Sequence, residues 1–297
     1  MTRTLAALEE AVQAALRAGH PGKLEVAGYG EIAPVLLWTV PGGRRACKRL
    51  PPFRDRAEFE AYRSCFGTYL DRLASAKVAV LESRLEALEM PDGSLVAYCI
   101  QPALDPGEIL PRYLGQCPAA EAGRICDTIL DRVARLVTPA LGFDGQPSNW
   151  AVKGGEPCYL DVTTPLMRDA QGRERLNLDL FLAPLPWALQ GLVRRFLLGE
   201  ILGKYYQPRG VALDFLGNLH KEGLARLLPD FLARANARFS PAISRDEVDR
   251  YYAGDARTWS LLQRLRRWDR AWQRRVRRRT YPFLLPGPID RGRVSLV

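Results

Sequence analysis

Apolar and polar positions in the first hundred residues predict five strands and a helix. Three apolar runs between residues 24 and 50, separated by glycine- and proline-containing turns, predict three strands. From about residue 54 to 74, apolar side chains recur every three or four positions, which predicts a helix. Its apolar face consists of Phe59, Tyr62, Phe66, Tyr69 and Leu73. Runs at residues 81–90 and 94–104, joined by a Pro-Asp-Gly turn, predict a hairpin. An amphipathic helix over residues 2–18 precedes the strands.

Beyond residue 104 the helical period dominates. Helices are predicted over about residues 119–138, 185–204 and 258–279, with two short strands around Gly154-Gly155. Asp105-Pro106-Gly107 is the predicted boundary between the two patterns. The order of elements therefore predicts an α+β protein of two lobes. Residues 1–104 form the lobe that contains the sheet, and residues 105–297 form a mostly helical lobe.

Composition narrows the class of protein. The chain has 297 residues, of which 47% are hydrophobic and 26% charged, as in ordinary globular proteins. No apolar run reaches the roughly 18 residues of a membrane span, and the N-terminus lacks the apolar core of a secretory signal, so we expect a cytoplasmic protein. Six scattered cysteines and two distant histidines argue against a structural zinc site and a disulfide framework.

Two patches in the first lobe carry candidate chemistry. Gly28 and Gly30 lie in a hairpin turn, with Val35 on the strand that follows. Lys48 lies on the next predicted strand, and Glu60 lies on the helix after it. Each feature also has an ordinary explanation, because Gly-x-Gly forms many hairpin turns and a strand lysine often faces solvent.

Two patches in the second lobe carry the rest. Asp144 precedes Asn149 by five residues in the loop Asp-Gly-Gln-Pro-Ser-Asn. Asp161 follows Asn149 by twelve residues, at the end of a short apolar strand. The alternative is that Asp144 and Asn149 only form turns, since Asp-Gly and Pro-Ser-Asn favour turns in any context.

In this order and at this spacing the patches resemble the protein-kinase-like superfamily. The resemblance covers about residues 24–180 and is closer to the aminoglycoside- and choline-phosphotransferase branch, because the long activation segment of protein kinases and its Ala-Pro-Glu end are missing. It implies a bilobal fold, with a five-stranded antiparallel sheet plus a helix in the first lobe. It also implies ATP and Mg²⁺ as cofactors and a small hydroxyl- or amine-bearing acceptor that the sequence does not identify.

The resemblance also implies a role for each patch. Gly28, Gly30 and Val35 would cover the nucleotide, and Lys48 would position its phosphates. A carboxylate from the helix would hold Lys48; Glu60 is preferred to Glu58 because it leaves Phe59 and Tyr62 to face the core. Asp144 would orient the acceptor, and Asn149 and Asp161 would bind the metal.

Four positions depart from the family pattern. Gly142 stands where a histidine is usual, Gln146 where protein kinases have a lysine, and Val162-Thr163 where Phe-Gly follows the metal-binding aspartate. These departures leave two hypotheses open. The chain is an active phosphotransferase, or it is a catalytically inactive kinase-like (pseudokinase) module that recruits an acidic partner.

Basic charge is concentrated near the C-terminus. Nine arginines and one acid, Asp269, lie between Arg264 and Arg279, and they account for +8 of the net charge of +10. An apolar stripe on the same predicted helix is expected to pack inward; it consists of Leu261, Leu265, Trp268, Trp272 and Val276. The arginines then form either a solvated helix face or a surface that contacts a polyanion. A third functional hypothesis, nucleic-acid binding, depends on this segment alone.

Overall fold

The computed structural model describes residues 2–30, 33–182, 190–191 and 198–285. Its strands are β1 (Glu25–Tyr29), β2 (Pro34–Val40), β3 (Gly43–Arg49), β4 (Arg84–Glu89), β5 (Leu95–Pro102), β6 (Trp150–Lys153) and β7 (Glu156–Tyr159). Its α-helices are α1 (Thr2–Ala18), α2 (Arg56–Ser75), α3 (Leu110–Gln116), α4 (Ala119–Leu136), α5 (Asp179–Leu182), α6 (Leu198–Gly203), α7 (Pro208–Lys221), α8 (Leu228–Asn236) and α9 (Arg245–Arg275). The helix predicted over residues 185–204 lies mostly outside the described residues.

The first five strands form one antiparallel sheet in the order β1-β2-β3-β5-β4. This confirms the five strands predicted from the apolar runs and the antiparallel sheet that the resemblance implied. The turn between β2 and β3 uses Gly42 and Gly43 at φ values of 97° and 118°, a region of backbone conformation that glycine adopts without a steric penalty. Strand β3, which carries Lys48, is the middle strand of the sheet.

Helix α1 covers one face of the sheet. Leu8 and Val12 of the helix pack with Leu36 and Tyr98 of the strands in a cluster of their own. A buried ion pair joins the helix to the sheet at the same place, because Glu9 accepts hydrogen bonds of 2.9 and 2.8 Å from the guanidinium of Arg49 on β3. The hydroxyl of Tyr98 donates a third bond of 2.6 Å to Glu9. The first helix is therefore anchored by both apolar and charged contacts.

Helix α2 lies against the rest of the core through the apolar face that its spacing predicted. All five residues of that face are buried: Phe59, Tyr62, Phe66, Tyr69 and Leu73. The helix begins after Asp55, whose side chain accepts a 2.8 Å bond from the backbone N–H of Glu58 and so satisfies one of the free donors of the first turn.

One apolar cluster runs from α2 into the mostly helical remainder of the chain. Helices α4, α7 and α8 contribute many of its buried side chains, and Trp150 and Tyr159 of the β6–β7 hairpin belong to it. This continuous core supports the hairpin that carries the predicted Asn149 and Asp161. None of the described helices is both long and apolar enough to cross a bilayer.

The C-terminal helix corrects the expectation for the arginine-rich segment. Helix α9 begins at Arg245, thirteen residues before the predicted start, after Ser244 whose side chain accepts a bond from the N–H of Glu247. Most of the predicted apolar stripe faces solvent, since Trp268 is 60% exposed and Leu261 is 52% exposed. The residues buried along this stretch are polar instead: Gln263, Arg266 and Asp269. A helical period identifies side chains that share a face, but what packs against the helix decides which face is buried.

Candidate functional site

Lys48 and Asp161 form an ion pair although 113 positions separate them in the sequence. Lys48 projects from the middle strand of the sheet, and Asp161 lies just beyond β7 in the mostly helical part of the chain. The lysine Nζ is 2.8 Å from Oδ1 and 2.9 Å from Oδ2 of the aspartate. The two side chains are 19% and 26% exposed, so the pair is sheltered from bulk water but open to a ligand.

The surroundings of Asp161 keep its carboxyl ionised. Burial by itself would raise the pKa of Asp161, but the charge of Lys48 and hydrogen bonds from Lys48 and Thr163 outweigh burial, and the pKa lies below its usual range. The hydroxyl of Thr163 donates a 2.8 Å bond to Oδ1. A permanently charged carboxylate with two fixed donors is suited to a cationic ligand.

An apolar patch lies beside Lys48 on the same face of the sheet. Val35 pairs with Lys48 across strands β2 and β3, and Leu37 pairs with Ala46. Because successive residues of a strand point to opposite faces, these four share the face that α1 does not cover. Val35, Leu37 and Ala46 are only half-buried. The predicted Val35 therefore lies with Ala46, which the sequence reading missed, on a surface that a flat apolar ligand could cover.

The glycine turn between β1 and β2 approaches the lysine. The N–H of Gly30 donates a 3.1 Å bond to the carbonyl of Ala33, which closes the turn. A Cβ at position 30 would lie 3.0 Å from that carbonyl oxygen and 4.0 Å from the Nζ of Lys48. A side chain at Gly30 would therefore be tight against the backbone of the turn, whereas Gly28 has open space around it. Residues 31 and 32, within the turn, lie outside the described residues.

The loop that begins at Asp144 is held by bonds to its backbone. The amide of Asn149 donates a 3.2 Å bond to the carbonyl of Asp144, and the hydroxyl of Tyr159 donates a second of 3.0 Å to the same oxygen. The indole of Trp150 donates to the carbonyl of Gly145 at 3.1 Å. The backbone N–H of Leu160 also bonds the carbonyl of Asn149, which brings Asn149 next to Asp161 in space.

Asp144 and Asp161 act on the same buried side chain. Burial raises the pKa of the Tyr69 hydroxyl, and the negative charges of Asp144 and Asp161 raise it further. That hydroxyl donates a 3.2 Å bond to the carbonyl of Gly142, at the start of the loop. The two predicted aspartates therefore both lie near the same tyrosine of α2.

The prediction that Glu60 holds Lys48 is wrong. Glu60 pairs with Arg63 at the surface and its side chain is 39% exposed. Glu58 accepts a 2.6 Å bond from the amide of Asn177. Neither glutamate bonds Lys48 in the described part of the chain. Glu60 is two residues from Tyr62, about 200° around the helix, so a register that buries Tyr62 turns Glu60 toward solvent. Glu60 could reach Lys48 only from the inner face of the helix, and the aromatic residues occupy that face.

Tyr62, and not a glutamate, is the α2 side chain that bonds to the segment around Asp161. Its hydroxyl donates a 2.9 Å bond to the carbonyl of Thr163, two residues after Asp161. Helix α2 therefore supports the Asp161 segment instead of Lys48. The apolar spacing that predicted the helix also placed Tyr62 on its inner face, so this signal was present in the sequence.

Packing explains one departure from the kinase-like pattern. A Cβ at Gly142 would lie 2.9 Å from the Cβ of Leu166 and 3.0 Å from the ring of Tyr206. Any larger residue, histidine included, would require those neighbours to move. The sequence contains no signal for this close contact, because Leu166 and Tyr206 are distant in the chain.

A second lysine approaches the loop from α7. Lys221 donates a 2.8 Å bond from Nζ to the Oε1 of Gln146. The Nε2 of Gln146 in turn donates a 3.0 Å bond to Oδ2 of Asp144. Gln146 stands where protein kinases have a lysine, and Lys221 provides a positive charge near the same place from another element. The sequence reading missed Lys221, since nothing in its neighbourhood marks it.

The donor set at the site suits a hard cation together with phosphate. The described residues contain no group of three or more His, Cys, Asp or Glu side chains that could hold a metal ion by themselves. Asp161 offers carboxylate oxygens, and Asn149 offers an amide oxygen, since its bond to Asp144 uses the amide nitrogen. Mg²⁺ typically takes one or two such oxygens from the protein and the others from water and substrate phosphates. The residues therefore fit Mg²⁺ bound with a nucleotide.

Comparison with known proteins identifies the family but not an activity. A model of a family of unknown function, DUF6206, matches residues 7–270, which include every site residue named above. The match spans most of the chain, and the chain belongs to this family. A search of curated proteins finds no match.

Proposed function

We propose that this member of the DUF6206 family is an ATP- and Mg²⁺-dependent phosphotransferase that acts on a small hydroxyl- or amine-bearing molecule. The observation that carries the proposal is the Lys48–Asp161 pair, which joins the middle strand of the sheet to the Asp144–Asp161 region. Lys48, a cation that can bind phosphate, and Asp161, an anion that can bind metal, are thereby in direct contact.

The nucleotide would lie between the sheet and the hairpin of β6 and β7. The half-buried patch of Val35, Leu37 and Ala46 would contact the base. Gly30 would let the backbone of the turn approach the phosphates, and Lys48 would donate to their oxygens. The shelter of the pair from bulk water strengthens each of these electrostatic contacts.

Asp161 and Asn149 would hold Mg²⁺ through their oxygens. When bound, the ion neutralises charge on the phosphates and orients them. Thr163 keeps the Asp161 carboxylate in position through its 2.8 Å bond. This threonine, in the place of the usual glycine, acts as a positioning residue.

Asp144 would orient the acceptor. As the acceptor oxygen or nitrogen bonds the γ-phosphorus, the bond from that phosphorus to the bridging oxygen of ADP breaks, and the acceptor proton passes to the Asp144 carboxylate and then to water. The backbone of Asp144 is fixed by Asn149 and Tyr159, so that its carboxylate needs little reorganisation. Catalysis is then mostly positioning and charge neutralisation.

The alternative function is a kinase-like module that binds nucleotide but does not turn over. The observation that favours it is that neither Glu58 nor Glu60, the helix glutamates in the described part of the chain, contacts Lys48, because a lysine without that support is less well positioned in an active kinase. Two other departures weigh against it, since Gly142 is required by packing and Thr163 supports Asp161.

Thermal shift with ATP and Mg²⁺ tests the nucleotide site. We expect ATP with Mg²⁺ to raise the Tm of the wild type by a few degrees. A ligand that binds only the folded state stabilises it by about 2.7 kcal/mol at one hundred times its Kd. Asp161→Asn should abolish the shift. Glu60→Gln is the matched control, because this carboxylate is at the surface, and it should leave the shift unchanged. A wild type that shows no shift contradicts the proposal.

Turnover separates the two functions. Radiolabelled ATP incubated with pools of hydroxyl- and amine-bearing metabolites should yield a labelled product with wild type. Asp144→Asn should keep the ATP-dependent thermal shift and lose the product. Binding without product from any pool would support the inactive module.

A further inference from the structure

Helix α9 carries an exposed apolar stripe near its C-terminal end. Four of the five large hydrophobic side chains exposed in the described part of the chain are on this stripe: Leu261, Trp268, Trp272 and Val276. Their spacings of seven, four and four residues align them along one side of the helix. The rings of Trp268 and Trp272 stack at 6.1 Å with 15° between their planes. A contiguous exposed apolar surface of this kind typically marks an interaction site.

The charge around the stripe is of one sign. Arg264 and Arg275 lie on the exposed side of the same helix, and Arg277, Arg278 and Arg279 follow its end. The single acid between residues 264 and 279 is Asp269, which is 2% exposed and turned inward. The outward surface is thus apolar and cationic together, which suits an anionic partner.

Other arginines of the segment are used within the molecule. Arg274 donates to the backbone carbonyls of Arg17 and Ala18 at the end of α1, at 3.1 and 3.3 Å. These bonds satisfy free carbonyls of α1, and the positive charge suits the negative end of its dipole. Arg266 is buried with its guanidinium over the ring of Phe283. The helix is held on its inner side, so the stripe is presented on a supported element.

We propose that this stripe of α9 docks the protein on an anionic phospholipid surface. Leu261 to Val276 spans about 22 Å on the outside of a helix, a line that can lie along a flat surface. Tryptophan and aliphatic side chains enter the headgroup boundary, and the arginines contact lipid phosphates. Nucleic acid fits less well, because the two indoles stack on each other, and the aliphatic side chains can neither stack on a base nor hydrogen-bond to it. The inference is independent of the proposed phosphotransfer.

Vesicle sedimentation of the full chain tests this docking. The protein should sediment with vesicles of phosphatidylcholine mixed with phosphatidylserine, and much less with phosphatidylcholine alone. Its tryptophan emission should shift to shorter wavelength on binding. Trp268→Ala with Trp272→Ala should weaken sedimentation by about tenfold or more, because both anchoring rings are lost. Circular dichroism melting of the variant verifies that the fold is retained.

Two arginine variants of equal charge serve as a matched pair. Arg264→Gln with Arg275→Gln should weaken binding to the phosphatidylserine vesicles and reduce its salt dependence. Arg54→Gln with Arg56→Gln removes two arginines whose side chains are 81% and 67% exposed but lie just before α2 and at its first residue, and it should change little. Equal effects of the two variants would mean that total charge alone matters, which overturns a specific site.

Two further outcomes would also overturn the proposal. One is sedimentation that is the same for the double tryptophan variant and the wild type. The other is a tighter, tryptophan-dependent complex with a single-stranded oligonucleotide than with the vesicles, which would assign the stripe to nucleic acid instead.

Discussion

Helices α2 and α9 carry the same sequence signal and use it in opposite ways. Both have large apolar side chains at a spacing of three and four residues. On α2 every one of them is buried, with Tyr69 and Leu73 fully so. On α9 Trp268 and Val276 are 60% and 57% exposed. Periodicity therefore identified two coherent apolar faces correctly, and it could not distinguish the one that builds the core from the one that is open to a partner.

The difference follows from what lies opposite each helix. Helix α2 faces the open side of the sheet and the apolar helices of the second half of the chain, which together bury its aromatic face. The first part of α9 packs on α7 through buried Val248 and Tyr252. Its later turns meet the end of α1, where Arg274 bonds the carbonyl of Arg17, and the segment around Phe283, where the guanidinium of Arg266 lies over the ring. The apolar stripe is then left on the outer side.

The largest expected effect concerns the buried face. Phe66→Ala on α2 should lower the free energy of unfolding by about 3–5 kcal/mol, because it removes a buried ring and leaves a cavity. Urea unfolding followed by circular dichroism measures this change. A loss below about 1 kcal/mol would mean that the face of α2 is not tightly packed, and the contrast with α9 would fail.

An intermediate effect concerns the charged contact of α1. Burial raises the pKa of Glu9, but the bonds and charge of Arg49 and the bond from Tyr98 lower it, and the net pKa is below the ordinary value. Its contribution to stability is therefore complete above the unfolded pKa of about 4.3 and is lost as the pH falls through the folded pKa. Glu9→Gln should cost about 1.5–3 kcal/mol at neutral pH and less in acid.

Urea unfolding at neutral and acid pH verifies this dependence. Glu89→Gln is the control, because Glu89 pairs with Arg56 at the surface with 62% of its side chain exposed, and should change stability little at either pH. A cost for Glu9→Gln that does not shrink in acid would indicate a packing effect and not the ionised pair.

The smallest expected effect concerns the exposed face. Trp268→Ala with Trp272→Ala should change the free energy of unfolding by less than about 1 kcal/mol in total, since exposed side chains contribute little to folding. The same urea unfolding experiment measures it beside Phe66→Ala. A loss of several kcal/mol would show that the indoles are buried in solution, and the proposed membrane surface would lose its anchors.

The candidate site shows the same division at the level of single residues. The spacing of Gly30, Lys48, Asn149 and Asp161 was readable in the sequence, and the structure brings Lys48 and Asp161 into contact at 2.8 Å. The choice of Glu60 as the lysine partner was wrong, because the helix register that buries Tyr62 turns Glu60 toward solvent, where it pairs with Arg63. Lys221 had no local signal at all, since its meeting with Gln146 depends on how α7 packs.

The sequence by itself determined the elements: five strands, the helix α2 with its buried face, and the turns between them follow from apolar spacing and from glycine and proline positions, which act over a few residues. Contacts between distant segments were decided only by the tertiary structure. Tyr62 supports the Asp161 segment while Glu60 leaves Lys48 for the surface, Gly142 is packed closely against Leu166 and Tyr206, and the tryptophans of α9 face outward. The physical reason is that a local pattern specifies which side chains share a face, whereas burial and pairing depend on which surfaces the whole chain places against it.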